Sequence, residues 1–175
     1  GVCGSDVHYY ETGRIGSQVV EFPFVVGHEC SAIVAETGNK VRNLKKGDRI
    51  VVEPAISCFK CDQCRQNREH TCRNLKFLGC PGQIEGCLSE YIVMPETSCY
   101  KVRDDFSFED GVLCEPFAIG VYAVQQAQLS QNDDIAILGS GPIGLSCLKA
   151  AEVQELGKVM MTEKISERCK VAKTA

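Results

Sequence analysis

The apolar positions of the first part of the chain, up to about residue 113, fall into short runs that contain many β-branched residues. The clearest runs are FPFVVGHECSAIVAETG, GDRIVVEPA and LSEYIVMPE, and Gly and Pro punctuate them. Apolar runs of this kind, separated by turn-forming residues, are typical of β-strands. The sequence therefore predicts a first part that is rich in β-structure.

From about Pro116 the apolar spacing changes to that of a helix, in FAIGVYAVQQAQL, and Pro116 suits the first turn of that helix. The next segment, DIAILGSGPIGLSCLKAAEVQELGKVMMTEK, has the order strand, glycine turn, helix and second strand. This βαβ order predicts the opening of a parallel sheet, which needs more strands with both faces covered. We expect an α/β chain with a β-rich domain over residues 1–116 and an incomplete nucleotide-binding domain over residues 117–175.

Composition and charge narrow the class of protein. Hydrophobic residues make up 44% and charged residues 24% of the chain, as in an ordinary globular protein. The net charge of −4 offers no basic surface for a phosphate backbone, so nucleic acid is not an expected partner. No apolar run approaches the ~18 residues of a membrane helix, and no secretory signal is apparent, so no membrane partner is expected. Because the chain starts at Gly1 and stops at KVAKTA, we expect an internal part of a longer protein.

Twelve cysteines among 175 residues are many, and four of them lie within fifteen residues. In a short secreted chain, this density would indicate disulfides. Because the cysteines are unevenly spaced and no export signal is present, we expect a reduced, cytoplasmic protein that binds metal.

The segment CFKCDQCRQNREHTC has the spacing C-x2-C-x2-C-x7-C, formed by Cys58, Cys61, Cys64 and Cys72. Two-residue gaps let a tight turn direct neighbouring thiolates at one centre, and a fourth cysteine completes a tetrahedron. Four thiolates leave no open coordination position, so the predicted zinc is structural. Disulfides, unligated thiols and an iron–sulfur cluster remain alternatives, because spacing alone does not exclude them.

The glycine turn LGSGPIG follows the apolar strand DIAIL and opens a helix. Its G-x-G-x-x-G glycines are Gly139, Gly141 and Gly144. In this context they permit a tight turn and a close approach to a pyrophosphate. Glu163, nineteen residues after the last glycine, would accept hydrogen bonds from the ribose hydroxyls and repel a 2′-phosphate. The pattern favours NAD, although Lys164 and Arg168 leave NADP open, and a plain βαβ turn is the other reading.

The stretch CGSDVHYYETGRIG at residues 3–16 holds more reactive side chains than a packed core would use. A catalytic zinc needs about three protein ligands and an open position. Cys3 in this stretch and His28 and Glu29 in GHE are candidate ligands, and Glu115 in LCEPFAIG is a second carboxylate. Taken alone these are scattered residues, and a single histidine is more often a core or surface residue than a ligand.

In order and spacing, the motifs resemble those of the zinc-dependent medium-chain alcohol dehydrogenases, most closely the polyol (sorbitol or xylitol) dehydrogenase branch. The resemblance rests on CGSDVHYYETGRIG, GHE, KKGDRIVVEP, the four-cysteine segment, EPFAIGV and GSGPIG. It extends along nearly the whole chain and covers only the middle of such an enzyme. It implies a GroES-like catalytic domain followed by an incomplete Rossmann dinucleotide-binding domain.

The resemblance also implies roles for individual residues. The ligands of the catalytic zinc would be Cys3, His28 and Glu29. Glu115 would bind through water or approach the metal and the substrate hydroxyls, and it stands where alcohol dehydrogenases proper usually have a zinc-binding cysteine. Ser5 would lie beside the reacting oxygen and pass its proton outward, and Tyr9 would contact the substrate.

On the cofactor side, the resemblance implies contacts from Gly139, Gly141, Pro142, Ile143, Gly144, Glu163 and Arg168. The chain departs from the family pattern at Ala32, where glycine is usual, and at Glu163, where aspartate is commoner. The first departure adds one methyl group, and the second keeps the carboxylate that favours NAD.

The function implied is zinc-dependent transfer of a hydride from a polyol hydroxyl carbon to NAD, which gives a ketose, in an enzyme that is a homo-oligomer. One alternative is a sister zinc dehydrogenase that acts on threonine, a butanediol or a sugar-alcohol phosphate. Another is a zinc-stabilised protein without catalysis. With only part of a cofactor domain, the isolated 175 residues are expected to bind no NAD.

Overall fold

The chain forms two compact units, Gly1–Leu113 and Cys114–Ala175, in the computed structural model, which describes all residues from 1 to 175. The first unit contains helices α1 (Gly4–Thr12) and α2 (Asp62–Arg65). Its strands are β1 (Arg14–Ile15), β2 (Gln18–Val19), β3 (Ser31–Ile33), β4 (Arg49–Val52), β5 (Ala55–Ile56), β6 (Lys76–Phe77) and β7 (Cys99–Lys101). A further helix, α3 (Phe108–Gln126), begins in the first unit and ends in the second.

An antiparallel sheet in the order β3–β4–β7 carries the core of the first unit. Val51 in the central strand pairs with Ser31 of β3 and with Tyr100 of β7. Side chains of a strand alternate between its two faces, and the buried positions of β4 alternate in this way. The buried apolar cluster consists of Val34, Ile50, Val52 and Leu78.

Helix α1 is the element that the reactive stretch CGSDVHYYET forms. It ends at Gly13, which has a φ of +69° and donates its N–H to the carbonyl oxygen of Tyr9 at 2.9 Å. A left-handed residue of this kind is a common helix terminator, and glycine adopts it without a Cβ penalty. The chain then turns directly into the β1–β2 hairpin.

The second unit contains β8 (Ile135–Leu138), α4 (Pro142–Val153), β9 (Val159–Thr162) and α5 (Ser166–Thr174). β8 and β9 are parallel and pair Ile135 with Val159, so the predicted βαβ order is present. The part of α3 in this unit packs closely on α4, because a Cβ at Gly120 would lie 2.5 Å from the carbonyl carbon of Ser146.

The strand prediction was wrong for FPFVVGHE and for LSEYIVMPE, since neither segment forms a strand. Backbone hydrogen bonds do join the two regions, from Gly86 N–H to Val25 O at 2.7 Å and from Leu88 N–H to Val26 O at 3.0 Å. Gly27 O also accepts the N–H of Cys87 at 2.9 Å, but the φ of +103° at Gly27 is incompatible with a regular extended strand.

The helix predicted to start near Pro116 begins eight residues earlier, at Phe108, and Pro116 lies inside α3. Ser107 provides the reason. Its Oγ accepts the N–H of Asp110 at 2.9 Å and donates to the carboxylate of Asp110 at 2.6 Å, so Ser107 acts as the N-cap of α3. The helix therefore passes through the predicted domain boundary after residue 116, while the compact units divide after Leu113.

None of the helices combines the length and the apolar character that crossing a bilayer requires.

Candidate functional site

The four-cysteine segment folds into a compact metal-binding site. Its Sγ atoms all lie within 4.8 Å of one another, and Cys61 Sγ is 3.5 Å from Cys64 Sγ and 4.0 Å from Cys72 Sγ. Four sulfurs at about 2.3 Å from one tetrahedral zinc are about 3.8 Å apart, so the separations fit a single ion. A disulfide needs about 2.05 Å, and all twelve cysteines are free thiols. An iron–sulfur cluster binds its thiolates to different iron atoms and holds the sulfurs farther apart.

Backbone N–H groups around this site favour thiolates. The N–H of Lys60 is the main cause that lowers the pKa of Cys58 to about 6, and the N–H of Cys64 is the main cause that lowers the pKa of Cys61. Burial instead raises the pKa of Cys64 to about 12. A divalent cation bound at the centre would supply the positive charge needed to ionise the buried thiol as well.

An ion pair beside the four cysteines was not predicted from the sequence. Arg73 Nε and Nη2 donate to the two carboxylate oxygens of Asp62 at 2.6 and 2.7 Å. The guanidinium lowers the pKa of this carboxyl group. Because Asp62 follows Cys61 and Arg73 follows Cys72, the bidentate pair joins the second cysteine's end of α2 to the residue after the last cysteine.

A second group of potential ligands lies in the first unit, separate from the four cysteines along the chain. One ligand atom each from Cys3, His28 and Glu29 lies within 4.8 Å of the other two. Cys3 directly precedes α1, and the other two residues directly precede the loop into β3. The structure thus brings Cys3 together with the adjacent residues His28 and Glu29, which lie 25 and 26 positions later in the sequence. Their role as metal ligands remains a prediction.

Asp6 connects the two segments that carry these residues. Its Oδ2 accepts the N–H of Cys3 at 2.8 Å, and its Oδ1 accepts the N–H of Gly27 at 3.0 Å. The same Oδ1 lies 3.8 Å from Nδ1 of His28. The Asp6 residue is only 3% exposed, so these interactions are shielded from water. Asp6 thus holds the backbone of Gly27, directly before His28, and its carboxylate faces the histidine ring at a distance too long for a hydrogen bond.

Glycines allow the backbone to pass tightly behind His28. Gly27 has a φ of +103°, and a Cβ at this position would lie 2.7 Å from Leu88 Cγ. Gly79 also has a positive φ, and its Cβ would lie 2.5 Å from the carbonyl oxygen of Gly27. The His28 ring itself packs against Phe77, with ring centroids 5.4 Å apart. The close approach of the backbone at Gly27 and Gly79 therefore fixes the position of His28.

The other predicted catalytic residues lie on helices α1 and α3. Ser5 is half-buried in the first turn of α1. Tyr9 is buried on the same helix, its hydroxyl donates to Gln18 Oε1 at 2.7 Å, and burial raises its pKa. Glu115 is half-buried in α3 and belongs to the second unit. The structure thus places Cys3, Ser5 and Tyr9 at one helix, and their catalytic roles remain predictions.

In the second unit, the glycine turn leaves space where a cofactor would need it. Gly139 has a φ of +108°, and a Cβ on Gly144 would collide with the carbonyl oxygen of Gly139. At Gly141 the φ is an ordinary −73°, and a Cβ would meet only Arg168 Nη1, at 3.7 Å. Local structure therefore requires the first and third glycines, and the middle one keeps a surface open. Pro142 starts α4 beside this opening, and Ile143 is 44% exposed.

Glu163 directly follows β9, and its carboxylate is turned into the glycine turn. Oε2 accepts the N–H of Ser140 at 3.0 Å and its hydroxyl at 3.3 Å. Oε1 accepts the N–H groups of Lys164 at 2.7 Å and Ile165 at 3.0 Å. The N–H of Ile165, followed by those of Ser140 and Lys164, lowers the pKa of Glu163 to about 2. The link between Glu163 and Ser140 was not apparent in the sequence.

Comparison with known proteins gives a family. Residues 1–104 match the sequence family of the alcohol dehydrogenase GroES-like domain. The chain is 39% identical over 173 residues to L-idonate 5-dehydrogenase of Vitis vinifera and to sorbitol dehydrogenase of Bacillus subtilis. These alignments cover 99% of the chain and 47% and 49% of the two relatives. The chain therefore spans about half the length of the curated relatives that it matches.

A solved structure agrees with this comparison. An oxidoreductase/dehydrogenase of unknown specificity from Escherichia coli superposes with a TM-score of 0.92 at 32% identity, over 99% of this chain and 50% of that one. The resemblance found in the motifs and the GroES-like fold class are thereby confirmed. By the match over residues 1–104, the chain belongs to the alcohol dehydrogenase family that shares the GroES-like domain.

Proposed function

We propose that the protein is a zinc-dependent polyol dehydrogenase that uses NAD and oxidises one hydroxyl of a sorbitol- or xylitol-like substrate to a ketone. The observation that carries the proposal is the group formed by Cys3, His28 and Glu29, whose ligand atoms lie within 4.8 Å of one another. Three protein ligands leave a fourth position of a tetrahedral zinc for substrate, whereas the four cysteines fill every position. We therefore assign one catalytic and one structural zinc to the protein.

The donor set suits the reaction. A bound zinc would supply a Lewis acid toward a substrate hydroxyl, and a bound NAD would supply the hydride acceptor. The chain's own part is to fix geometry. Asp6 holds the backbone of Cys3 and of Gly27, directly before His28, so that the cluster is arranged before substrate binds. Ser5, in the first turn behind Cys3, is the residue that we assign to passing the hydroxyl proton outward.

Two further residues are assigned to the substrate. Tyr9 lies on the same helix as Ser5, and with its hydroxyl held by Gln18 it would offer the substrate a fixed side chain. Glu115 would add a carboxylate toward the metal or the substrate hydroxyls. A harder ligand set suits a substrate with several hydroxyls better than a simple alcohol. The polyol names of the two relatives at 39% identity support this substrate class.

The cofactor assignment rests on the glycine turn. The open surface at Gly141, beside the start of α4, would receive the pyrophosphate at a helix N-terminus. The carboxylate of Glu163, ionised down to a pKa of about 2, disfavours the 2′-phosphate of NADP. We therefore assign the region after residue 116 to an NAD-binding domain, with contacts from the glycine turn, Pro142, Ile143 and Arg168.

The test is a substrate panel on the zinc-loaded, longest natural form of the protein. Reduction of NAD is measured with sorbitol, xylitol, threonine, a butanediol and a simple primary alcohol. We expect the highest kcat/KM with a polyol, and we expect Glu115→Cys to lower the ratio of polyol to simple-alcohol kcat/KM. A preference for threonine or a butanediol would favour a sister dehydrogenase, and no turnover of any alcohol would contradict the enzyme assignment.

A further inference from the structure

We propose that Gln18 determines which substrate group Tyr9 can bind: it takes the hydroxyl proton of Tyr9 and leaves the Tyr9 oxygen as an acceptor for a further hydroxyl of the substrate. Gln18 is thus a positioning residue, because it acts through Tyr9 and does not itself touch the substrate. The proposal deepens the proposed polyol dehydrogenase function and rests on it. All the residues that carry it belong to the first unit.

The chemistry of the two side chains sets the direction of the hydrogen bond between them. The Tyr9 hydroxyl donates to Gln18 Oε1 at 2.7 Å. A carbonyl oxygen has no proton, so the phenol must be the donor. A tyrosine hydroxyl has one proton and otherwise only lone pairs. A Tyr9 that donates to Gln18 therefore offers any second partner an acceptor.

The fold holds both ends of this hydrogen bond. Tyr9 lies in the last part of α1, is 6% exposed, and its carbonyl oxygen accepts the N–H of Gly13 at 2.9 Å. Gln18 lies in β2 and pairs with Ile15 of β1, and the N–H of Val20 donates to the carbonyl oxygen of Gly13 at 2.8 Å. The helix end and the hairpin are thus joined at Gly13. A site fixed in this way before binding loses less free energy to ordering.

A buried cysteine also interacts with the Tyr9 hydroxyl. Cys80 is 6% exposed, and Gln83 Nε2 donates to its Sγ at 3.0 Å. Burial is the main cause that raises the pKa of Cys80, and burial followed by the neighbouring Cys80 raises the pKa of Tyr9, so both groups keep their protons near neutral pH. Because sulfur is a weak hydrogen-bond acceptor, the Tyr9 proton stays with the Gln18 oxygen.

Gln83 connects this network to the candidate zinc site. Its Oε1 accepts the N–H of Phe77 at 2.7 Å, and the Phe77 ring packs on His28 with ring centroids 5.4 Å apart. Tyr9 itself lies on the helix that directly follows Cys3. Short paths therefore connect Tyr9 to two of the three proposed ligands, and we assign its acceptor to the substrate that would bind beside them.

An acceptor at this position selects among chemical groups. A substrate hydroxyl can donate to it, whereas the ionised oxygens of a phosphate ester or a carboxylate are acceptors themselves and would be repelled. A group without a proton to donate would also leave the Tyr9 oxygen unpaired, which lowers affinity. Gln18 therefore favours a hydroxyl over a phosphate or a carboxylate at this position.

The experiment measures kcat/KM on the zinc-loaded, longest natural form of the protein, for the best polyol of the substrate panel and for its monodeoxy analogues, each of which lacks one hydroxyl. Gln18→Leu removes the acceptor for the Tyr9 proton, and Gln18→Glu keeps one. Tyr9→Phe and the double variant of Tyr9→Phe with Gln18→Leu complete the cycle. Gln131→Leu, at an exposed position of the second unit, is the control. Thermal unfolding shows that each variant is folded.

We expect wild type to prefer the complete polyol over one of the analogues, and Gln18→Leu to reduce this preference about tenfold, by raising KM with little change in kcat. Tyr9→Phe should reduce it by the same factor, and the double variant should reduce it no further, because the two residues act through one hydrogen bond. Gln18→Glu should retain the preference, and Gln131→Leu should match wild type.

Three outcomes overturn the inference and leave the proposed function standing. They are an equal loss for the polyol and every analogue in Gln18→Leu, a loss of the preference in Gln18→Glu, and a loss in the double variant that is the product of the two single losses. If wild type turns over no polyol, the proposed function fails, and the inference fails with it.

Discussion

Oδ1 of Asp6 lies 3.8 Å from Nδ1 of His28, and both residues are buried, at 3% and 9% exposure. The other carboxylate oxygen of Asp6 holds the N–H of Cys3. One side chain thus supports two of the three residues that we propose as ligands of the catalytic zinc, although residues 6 and 28 lie on different segments.

Asp6→Asn tests this support. The amide keeps the shape of the side chain but removes the charge and one of the two acceptors, so we expect zinc affinity at the Cys3 site to fall about tenfold to hundredfold. Competition with a chelator, followed by metal release over time, measures the change. Asp105→Asn is the matched control, because the Asp105 side chain is 73% exposed. Equal zinc affinity in Asp6→Asn and wild type would show that Asp6 does not support the site.

Cys64→Ser tests the structural zinc. Removing one of four ligands of a closed site should lower the free energy of unfolding by more than about 4 kcal/mol, because metal binding is coupled to folding of the lobe. Thermal unfolding with and without a chelator measures the effect, and the chelator should destabilise wild type more than the variant, which keeps only the zinc proposed at Cys3. Cys169→Ser, outside both metal sites, serves as control. A variant as stable as wild type would mean that the lobe does not need a metal.

Gly120→Ala tests the contact between α3 and α4. The added Cβ would lie 2.5 Å from the backbone of Ser146, which cannot move aside as a flexible side chain could. We expect a destabilisation of about 1–3 kcal/mol, despite the better helix propensity of alanine. Gly38→Ala is the control, because nothing lies within 4 Å of a Cβ there. Chemical denaturation of both variants measures the difference, and a stabilised Gly120→Ala would show that the helices can separate.

Glu163 also predicts a dependence of stability on acid. Its pKa is lowered from the ordinary 4.5 to about 2 in the folded protein, so its stabilising contribution is present above pH 4.5 and is lost as the pH falls toward 2. Wild type should therefore be more stable than Glu163→Gln above about pH 5, and the difference should shrink between about pH 4.5 and pH 2. Melting temperatures across this range measure it. A difference that is independent of pH would contradict the lowered pKa.

The features of the fold and the candidate site that could be predicted from the sequence are those whose residues lie close together along the chain. The interacting residues of two motifs lie close together in the sequence. These motifs are the C-x2-C-x2-C-x7-C segment and the turn from Gly139 to Gly144, so the conformation of each could be predicted from a few residues. The start of α3 was predicted too late because proline suits the first turn of a helix, whereas the cap is made by Ser107 and Asp110. That pair is also local, and the S-x-x-D pattern before an apolar run is a signal that could have found it.

Long-range relationships could not be foreseen in the same way. The strand predicted around Tyr91 and Val93 has a continuous apolar run but forms no regular strand, and both side chains are highly exposed. The hydrogen bond between Asp6 and Gly27 joins residues 21 positions apart, and Gly27 has a positive φ. The contact between Glu163 and Ser140 similarly depends on the parallel pairing of β8 and β9. Such contacts depend on the whole fold, and no short motif contains them.

Zinc content tests the central claim most directly. Elemental analysis of purified, reduced protein is compared with that of the Cys3→Ser variant. We predict about two zinc ions per chain in wild type and about one in the variant, because only the open site loses a ligand. One zinc per chain in both proteins would mean that only the four cysteines bind metal, and it would contradict a catalytic zinc at Cys3, His28 and Glu29.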